Sequence, residues 1–353
     1  MRILIIRLGA FGDIIHTLPL VADLARAGHE LGWCCEDRWA PLLEGSPVIA
    51  RLHRLPRRRL RDASRGAADR LAALGEVVRS LRKPGYDAVI DAQGLGKSAL
   101  LALASGIGLR LGHAPPRARE GSWLATHRRV ATRAVHVIDQ QRNLATALDG
   151  PVAGAWRFPL PAWADQHAWA GTVLAHLGLV RPWILNVGAG WPTKVWPEQR
   201  QGEFLGLLRA RAIPTLVVWG SSAEKAAAER VIAGAGYGVL APEADLPRLA
   251  GLLARGAVVV SGDTGPLHLA LAVGTPSVGL FGPVPAERNG PRGRGHRTLQ
   301  APGAAWERRD VSKVDMGAIT AEQVFQAAWE AQGESSLSPE PGYDIRRDVD
   351  SGN

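Results

Sequence analysis

At 353 residues, the chain is long enough to fold as two domains of ordinary size, each with its own core. Its sequence is 46% apolar but contains no run of about 18 apolar residues, which excludes a membrane-spanning helix. Met1 to Arg7 is interrupted by charge too soon for a signal peptide and predicts a first strand. The two cysteines, Cys34 and Cys35, are adjacent, which excludes a disulfide framework and favours a reducing cytoplasm.

The formal net charge of +9 is carried entirely by the first part of the chain. Residues 1–150 hold 23 lysines and arginines against 14 acids, whereas residues 151–353 hold 19 of each. Arginines crowd the stretch from Arg51 to Arg65, where Asp62 is the single acid. Such a cluster favours phosphate, carboxylate or anionic-surface partners. The alternative is a solvated, arginine-rich face of the kind that a GC-rich genome encodes.

The first half alternates strands and helices in the order of a parallel, doubly wound sheet. Strands are predicted at 2–8, 31–35 and 86–92, and helices at 13–27, at 67–81 and after the turn 93–98, the last ending near Ser105. The arginine-rich stretch is predicted as a loop. Polar turns follow two of the strands, at 9–13 and 93–98. Because ligands of such sheets collect at the carboxyl ends of the strands, both turns are candidate binding positions.

The second half repeats this alternation of strands and helices after a Pro- and Trp-containing linker at 149–163. Its predicted strands are 183–187, 215–219, 237–240, 257–260 and 277–281, and its predicted helices are 198–209, 223–232, 246–255 and 321–331. The pattern predicts two Rossmann-like domains, residues 1–155 and 156–332, that face each other across a cleft. Residues 333–353 are predicted to be a disordered tail.

The stretch Ser261–Pro283 is the strongest candidate ligand seat in the second half. Asp263 and Thr264 lie where a buried strand passes into a helix, and both residue types favour an N-cap. A helix N-terminus carries partial positive charge and free N–H groups, which suit a phosphate. His268 lies one turn into this helix. The alternative is an ordinary βαβ crossover with a capped helix.

Two common nucleotide motifs are excluded by their spacing. The turn Gly9–Asp13 is not the dinucleotide fingerprint GxGxxG, and Gly96-Lys97-Ser98 lacks the first P-loop glycine, because position 91 is Asp. Asp13 follows Gly12 at a predicted helix start, where an N-cap is the simplest alternative to a catalytic role.

Four motifs, in order along both halves, resemble the lipopolysaccharide heptosyltransferases of glycosyltransferase family 9, which have the GT-B fold. They are Gly12-Asp-Ile-Ile-His-Thr-Leu-Pro19, Tyr86-Asp-Ala-Val-Ile-Asp-Ala-Gln-Gly-Leu95 with Lys97-Ser98, Lys194-Val-Trp-Pro-Glu198, and Asp263-Thr-Gly-Pro-Leu-His268. The second motif is most similar to type I members. The resemblance implies an ADP-heptose donor, a Kdo-lipid A acceptor, and inversion at the anomeric carbon, without a cofactor or a metal.

The resemblance also assigns roles to individual positions. It implies that Asp13 is the catalytic base and that Lys194 binds the diphosphate. The other implied donor-binding residues are Glu224, Asp263, Thr264, Gly265 and His268. The candidate acceptor-binding residues are Arg7, Arg57, Arg58, Arg59, Arg61, Gln93, Lys97, Arg117 and Arg119.

From this reading we expect a cytoplasmic monomer that contacts the anionic inner membrane peripherally through its basic half. Two alternatives stay open: another GT-B transferase with a different nucleotide sugar or acceptor, and a non-catalytic binder of an anionic polymer. Nucleic acid is not expected as a partner, because the basic residues are not interleaved with aromatics and no helix-turn-helix or zinc signature occurs.

Overall fold

The computed structural model describes residues 1–148, 150, 152, 154–304 and 314–335. The chain divides into two compact units, residues 1–162 and 163–353. The predicted boundary between residues 155 and 156 lies earlier, because the segment up to Ala162 packs on the first unit. There the Trp156 indole donates to Asp139 (2.8 Å), and the Ser46 hydroxyl donates to the Pro159 carbonyl (2.6 Å).

The first unit is a six-stranded parallel sheet in the order β3-β2-β1-β4-β5-β6. Its strands are β1 (Arg2–Ile6), β2 (Glu30–Glu36), β3 (Ile49–Leu55), β4 (Ala88–Asp91), β5 (Leu109–His113) and β6 (Arg128–Val130). Its helices are α1 (Phe11–Arg26), α2 (Arg57–Arg61), α3 (Ala67–Arg82), α4 (Gly96–Ala104) and α5 (Val137–Arg142). The two central strands, β1 and β4, are rich in buried isoleucine and valine, as a helix-covered parallel sheet requires. The carboxyl ends of β1, β2 and β4 therefore meet at one edge, which we call the Asp13 edge.

The second unit repeats this architecture, with the strand order β12-β11-β10-β7-β8-β9 and every pair parallel. Its strands are β7 (Trp183–Asn186), β8 (Thr215–Val218), β9 (Val239–Leu240), β10 (Val258–Gly262), β11 (Ser277–Phe281) and β12 (His296–Gln300). Its helices are α6 (Ala164–His176), α7 (Glu198–Arg209), α8 (Ser222–Ala235), α9 (Leu246–Ala254), α10 (Gly265–Ala272), α11 (Ala286–Asn289) and α12 (Ala321–Ser335).

Several elements were not predicted, and they lie mostly at the sheet margins. The stretch predicted as an arginine-rich loop contains β3 and α2, and the strands β5, β6 and β12 and the helices α5, α6 and α11 were also missed. Because β3, β6 and β12 are edge strands, they expose polar side chains that hide the strand pattern. The predicted tail is wrong for residues 333–335, which end α12; residues 336–353 lie outside the described residues.

No helix among the described residues is long and apolar enough to cross a membrane. Both cysteines are free and buried on β2, where burial raises the pKa of Cys34 to about 12. A thiol that stays protonated is a poor nucleophile. The cysteine pair therefore acts as core packing.

A buried polar triad on the first sheet shows how the sequence determines packing. His53 on β3 contacts the Tyr86 hydroxyl through Nε2 (2.7 Å) and the Ser80 hydroxyl through Nδ1 (3.2 Å). Gly32 leaves room for this tyrosine, because a Cβ there would lie 1.8 Å from the hydroxyl oxygen. Ser80 donates to the Val77 carbonyl, so its oxygen can accept from His53. The triad thus holds His53 neutral, with the proton on Nδ1.

This neutral histidine makes stability depend on pH. Burial, with the charge of Arg51, lowers the pKa of His53 to about 4, whereas an unfolded histidine has a pKa of about 6.5. The stabilisation is present above pH 6.5 and is lost as the pH falls through 4, because the unfolded state binds the proton first. Between pH 7 and pH 4, the free energy of unfolding should fall by roughly 2 kcal/mol less in His53→Gln than in the parent protein. Urea unfolding at several pH values measures this; equal losses in the two proteins would contradict it.

Candidate active site

In the second unit, the turn between β10 and α10 is built around a hydroxyl network. The helix begins at Gly265 with Thr264 as its N-cap, and the Thr264 side chain does not cap the helix. Its hydroxyl instead lies 3.0 Å from the Ser261 hydroxyl and accepts from the Asn186 amide (3.3 Å). Pro266 has no N–H, so the backbone donors of the first turn belong to its neighbours, among them Gly265. This turn can therefore offer N–H groups to an anion.

Lys194 reaches this turn from the segment after β7. Its Nζ donates to the Asp263 carbonyl (3.2 Å) and forms an ion pair with the Asp263 carboxylate. The Lys194 side chain keeps 15% of its surface exposed, whereas the carboxylate is almost completely buried. The buried acid thus fixes a cation that still reaches solvent.

The Asp263 carboxylate bonds to other side chains of the second unit and does not cap the helix. Its other oxygen accepts from the Asn289 amide and lies 3.4 Å from Nε2 of the buried His268. Burial acts to raise the pKa of Asp263, but the His268 hydrogen bond and the Lys194 charge outweigh it, so the pKa lies well below its ordinary value. The structure therefore favours an indirect role for Asp263, which orients Lys194. Donor contact by Asp263, Thr264, Gly265 and His268 stays a prediction.

Glu224 lies over the turn that follows β7. It accepts the Gly220 N–H (2.7 Å) and donates its own N–H to the N-cap Ser221 (3.3 Å), so it is fixed at the start of α8. Gly188 permits this approach, because a Cβ there would lie 2.1 Å from the Glu224 carboxyl carbon. A cavity of about 470 Å³ lies beside this helix start, lined in part by Trp219, Lys225, Leu240 and Ala241.

In the first unit, Asp13 lies in the first turn of α1 with a partly exposed carboxylate. Its Oδ2 accepts from the Ala10 N–H (3.0 Å) and from the Arg7 guanidinium (2.8 Å). Arg7 is buried and also donates to the Ala92 carbonyl (2.5 Å). Arg7 was predicted to bind an acceptor. The structure gives it a second task, since it fixes the orientation of Asp13.

Glu36 is a further candidate site residue, which the sequence did not reveal. It ends β2, its side chain is only 6% exposed, and it pairs with Arg57 (2.8 Å), Arg38 (3.1 Å) and Lys97 (3.5 Å). These cations come from different elements, and one buried acid gathers them at the Asp13 edge. A single glutamate at a strand end has no sequence signal that would have revealed this.

The arginine cluster has more acidic partners than its sequence suggests. Arg59 binds Asp69 (2.6 Å) and Glu76 (3.0 Å) on α3, which favours a structural role instead of the predicted acceptor contact. Arg58 and Arg61 are exposed and form no ion pair among the described residues. These two arginines remain suitable for an anion.

The remaining predicted residues gather around the start of α4. Gln93 accepts the Leu8 N–H (3.0 Å), which ties the ends of β1 and β4 together. Lys97 is exposed beyond its Glu36 contact, Arg119 is exposed and donates its backbone N–H to the Gly94 carbonyl (2.9 Å), and Arg117 is half-buried on the same loop. The structure thus brings Arg7, Asp13, Arg57, Gln93 and Lys97 to one edge.

The Glu36 cluster can be tested directly. We expect Glu36→Gln to raise the KM for the predicted anionic acceptor about tenfold at nearly constant kcat, because Arg57 and Lys97 lose the acid that positions them. Initial-rate kinetics at two salt concentrations measure this. The control is Glu44→Gln, whose acid holds Arg54 but is 63% exposed and should change KM little. A loss confined to kcat would contradict the positioning role.

Comparison with known proteins gives the class of this enzyme. The family model described as "Glycosyltransferase family 9 (heptosyltransferase)" matches residues 74–315, which include Lys97, Lys194, Glu224 and Asp263. The chain therefore belongs to glycosyltransferase family 9 and is a glycosyltransferase.

The most informative relatives are lipopolysaccharide heptosyltransferases. Lipopolysaccharide heptosyltransferase 1 of Pseudomonas aeruginosa is 33% identical over 300 residues, 83% of this chain and 82% of that protein. The protein of the same name from Escherichia coli K12 is 30% identical over 86% of this chain and 94% of its own length. The solved structure of E. coli heptosyltransferase WaaC with ADP matches at 29% identity and a TM-score of 0.76, covering 94% and 100% of the two chains. The predicted α/β fold of GT-B type is confirmed.

Proposed function

We propose that this glycosyltransferase moves a heptose from ADP-heptose to a Kdo residue of Kdo-lipid A, in the synthesis of the lipopolysaccharide inner core. Relatives named lipopolysaccharide heptosyltransferase 1, and a matching WaaC structure that holds ADP-2-deoxy-2-fluoro heptose, support this choice of substrates. The observation that carries the proposal is the pairing of Lys194 with the buried Asp263 at the start of α10. It provides a fixed cation and backbone donors for a diphosphate leaving group.

On the donor side, Lys194 and the N–H groups of the α10 turn stabilise the negative charge that develops on ADP as the bond between the anomeric carbon and the phosphate oxygen breaks. Glu224 accepts from a ribose hydroxyl, and the cavity beside Trp219 receives the base. An aromatic wall next to a carboxylate suits a nucleoside, which has one apolar and one polar part.

On the acceptor side, Asp13 removes the proton of the attacking Kdo hydroxyl while the new bond to the anomeric carbon forms on the opposite face. Arg7 keeps the Asp13 carboxylate oriented for this step. Arg57, Arg58, Arg61, Lys97, Arg117 and Arg119 supply cations for the Kdo carboxylate and the lipid A phosphates. We further propose that the protein works as a monomer in the cytoplasm, on the cytoplasmic face of the inner membrane.

A donor panel tests this assignment. Purified protein with Kdo-lipid A should release nucleotide from ADP-heptose, and at least about a hundredfold more slowly from ADP-glucose or a UDP-sugar. Faster release from another sugar nucleotide would replace the donor and favour a different GT-B transferase. No release from any donor, together with salt-sensitive binding of a polyanion, would favour the non-catalytic polymer binder.

A further inference from the structure

Leucines are exposed on three neighbouring elements of the first unit. Leu71 on α3, Leu100 on α4 and Leu124 in the turn 122–125 are 69%, 67% and 77% exposed. Leu74 and Leu103, each three residues further along its helix, are also exposed. Together they form what we call the leucine face: Leu71, Leu74, Leu100, Leu103 and Leu124. An enzyme that works only in water would gain nothing from grouping large apolar side chains in this way.

These leucines lie on one side of the sheet. The helix α3 packs on β3, α4 packs on β4 and β1, and the turn 122–125 packs on α4. Leu71, Leu74 and Arg82 follow helical spacing on one flank of α3, and Arg82 donates to the Ala104 carbonyl at the end of α4 (2.9 Å). The end of this flank therefore adjoins the end of α4, and Leu71 and Leu74 lie on the same flank about two to three turns earlier. Trp123, half-buried in the same turn, adds a residue type that favours lipid–water interfaces.

The surroundings of the leucine face are basic. Arg58 and Arg61 on α2, which packs against α3, are exposed, as are Lys97 and Arg119 beside the start of α4. The α3 acids Asp69 and Glu76 are occupied by Arg59. Glu120, which accepts the Gly96 N–H, is an exposed acid beside the start of α4, and these four exposed cations outnumber it. Leucines with basic neighbours are the composition of surfaces that lie in the interface of an anionic bilayer.

We propose that the leucine face is the surface with which this protein rests on an anionic lipid bilayer. Because the crossovers between parallel strands start at the carboxyl edge, α3 and α4 both begin beside the Asp13 edge. Docking through this face sets the Asp13 edge next to the headgroup region. The inference rests on the proposed function in one respect, since it explains how a sugar acceptor that stays anchored in lipid reaches the site.

Vesicle flotation tests the proposal. The full chain should float with vesicles of 30% phosphatidylglycerol in phosphatidylcholine and much less with pure phosphatidylcholine. The double variant Leu100→Ser/Leu124→Ser should lower the partition coefficient about tenfold. The control is Val180→Ser in the second unit, because Val180 is 80% exposed and lies outside the leucine face. Equal flotation of the double variant and the parent, or no flotation of the parent, would overturn the proposal.

Activity separates this inference from the proposed function. The double variant should lose about tenfold in rate on Kdo-lipid A embedded in vesicles, and should keep its rate on a deacylated, soluble acceptor. Loss of both rates would point to misfolding, for which circular dichroism and the more conservative Leu100→Thr/Leu124→Thr provide the check. If the parent is inactive on both acceptors, the proposed function fails while flotation still tests the surface. A dimer in sedimentation that the double variant dissociates would assign the face to a second copy and overturn the lipid proposal.

Discussion

Asp13→Asn should reduce kcat by about 10²- to 10⁴-fold and leave the affinity for ADP unchanged. The asparagine oxygen can still accept the Ala10 N–H, so the start of α1 is kept, whereas the amide cannot take the acceptor proton. Asp13 belongs to the first unit and Lys194 to the second, which is why donor binding should be spared. Single-turnover kinetics and calorimetric titration with ADP measure the two quantities.

The matched control is Asp37→Asn, which changes the acid in the first turn of the short helix Asp37–Leu42 of the same unit. It should retain nearly full turnover. The base assignment would be wrong if Asp13→Asn kept more than about a tenth of the parental kcat, since a general base contributes at least about 10²-fold. It would also be wrong if the variant lost ADP affinity in parallel, because Asp13 would then act through donor binding.

Lys194→Met should have the second large effect. Removing this cation should lower kcat by about 10²- to 10³-fold and weaken ADP binding, because the leaving diphosphate loses its counter-charge. It also leaves the buried Asp263 carboxylate without its cation, which should cost about 3–5 kcal/mol in the free energy of unfolding. Steady-state kinetics and urea unfolding record the two losses separately.

A double variant separates chemistry from folding. Lys194→Met/Asp263→Asn removes both charges and keeps an amide that can bond to Asn289, so it should regain much of the lost stability. It should not regain turnover. Recovery of turnover in the double variant would show that Lys194 acts only as a partner for Asp263, and the diphosphate assignment would be wrong.

The bounds of helices and strands could be predicted where the local sequence pattern agrees with the burial that the fold imposes. The predicted bounds of α7 and β11 match the structure, because Pro197 precedes the helix and Pro276 precedes the strand. The edge strand β3 was missed, because it carries Arg51, His53 and Arg54 among its apolar residues and has a partner strand on only one side. Central strands can be recognised in the sequence because burial on both faces makes them continuously apolar, whereas edge strands are not buried in this way.

The candidate site shows the same limit. Asp13 and Lys194 lie in motifs that could be recognised in the sequence, but their partners could not. Lys194 pairs with Asp263, 69 residues away, and Arg7 reaches Asp13 only because β1 and α1 meet at the sheet edge. Glu36 organises cations from three elements and has no local signature at all. Such contacts depend on the register of the sheet, which residue spacing alone does not fix.

The most direct test of the proposed function is the acceptor product itself. Kdo-lipid A incubated with ADP-heptose and the parent protein should gain the mass of one heptose, and NMR should show the anomeric configuration inverted relative to the donor. The Asp13→Asn variant should leave the acceptor unchanged over the same time while still binding ADP. The proposed transfer would be contradicted if the parental protein released nucleotide but left the acceptor unmodified. A product that retains the donor configuration would also contradict it.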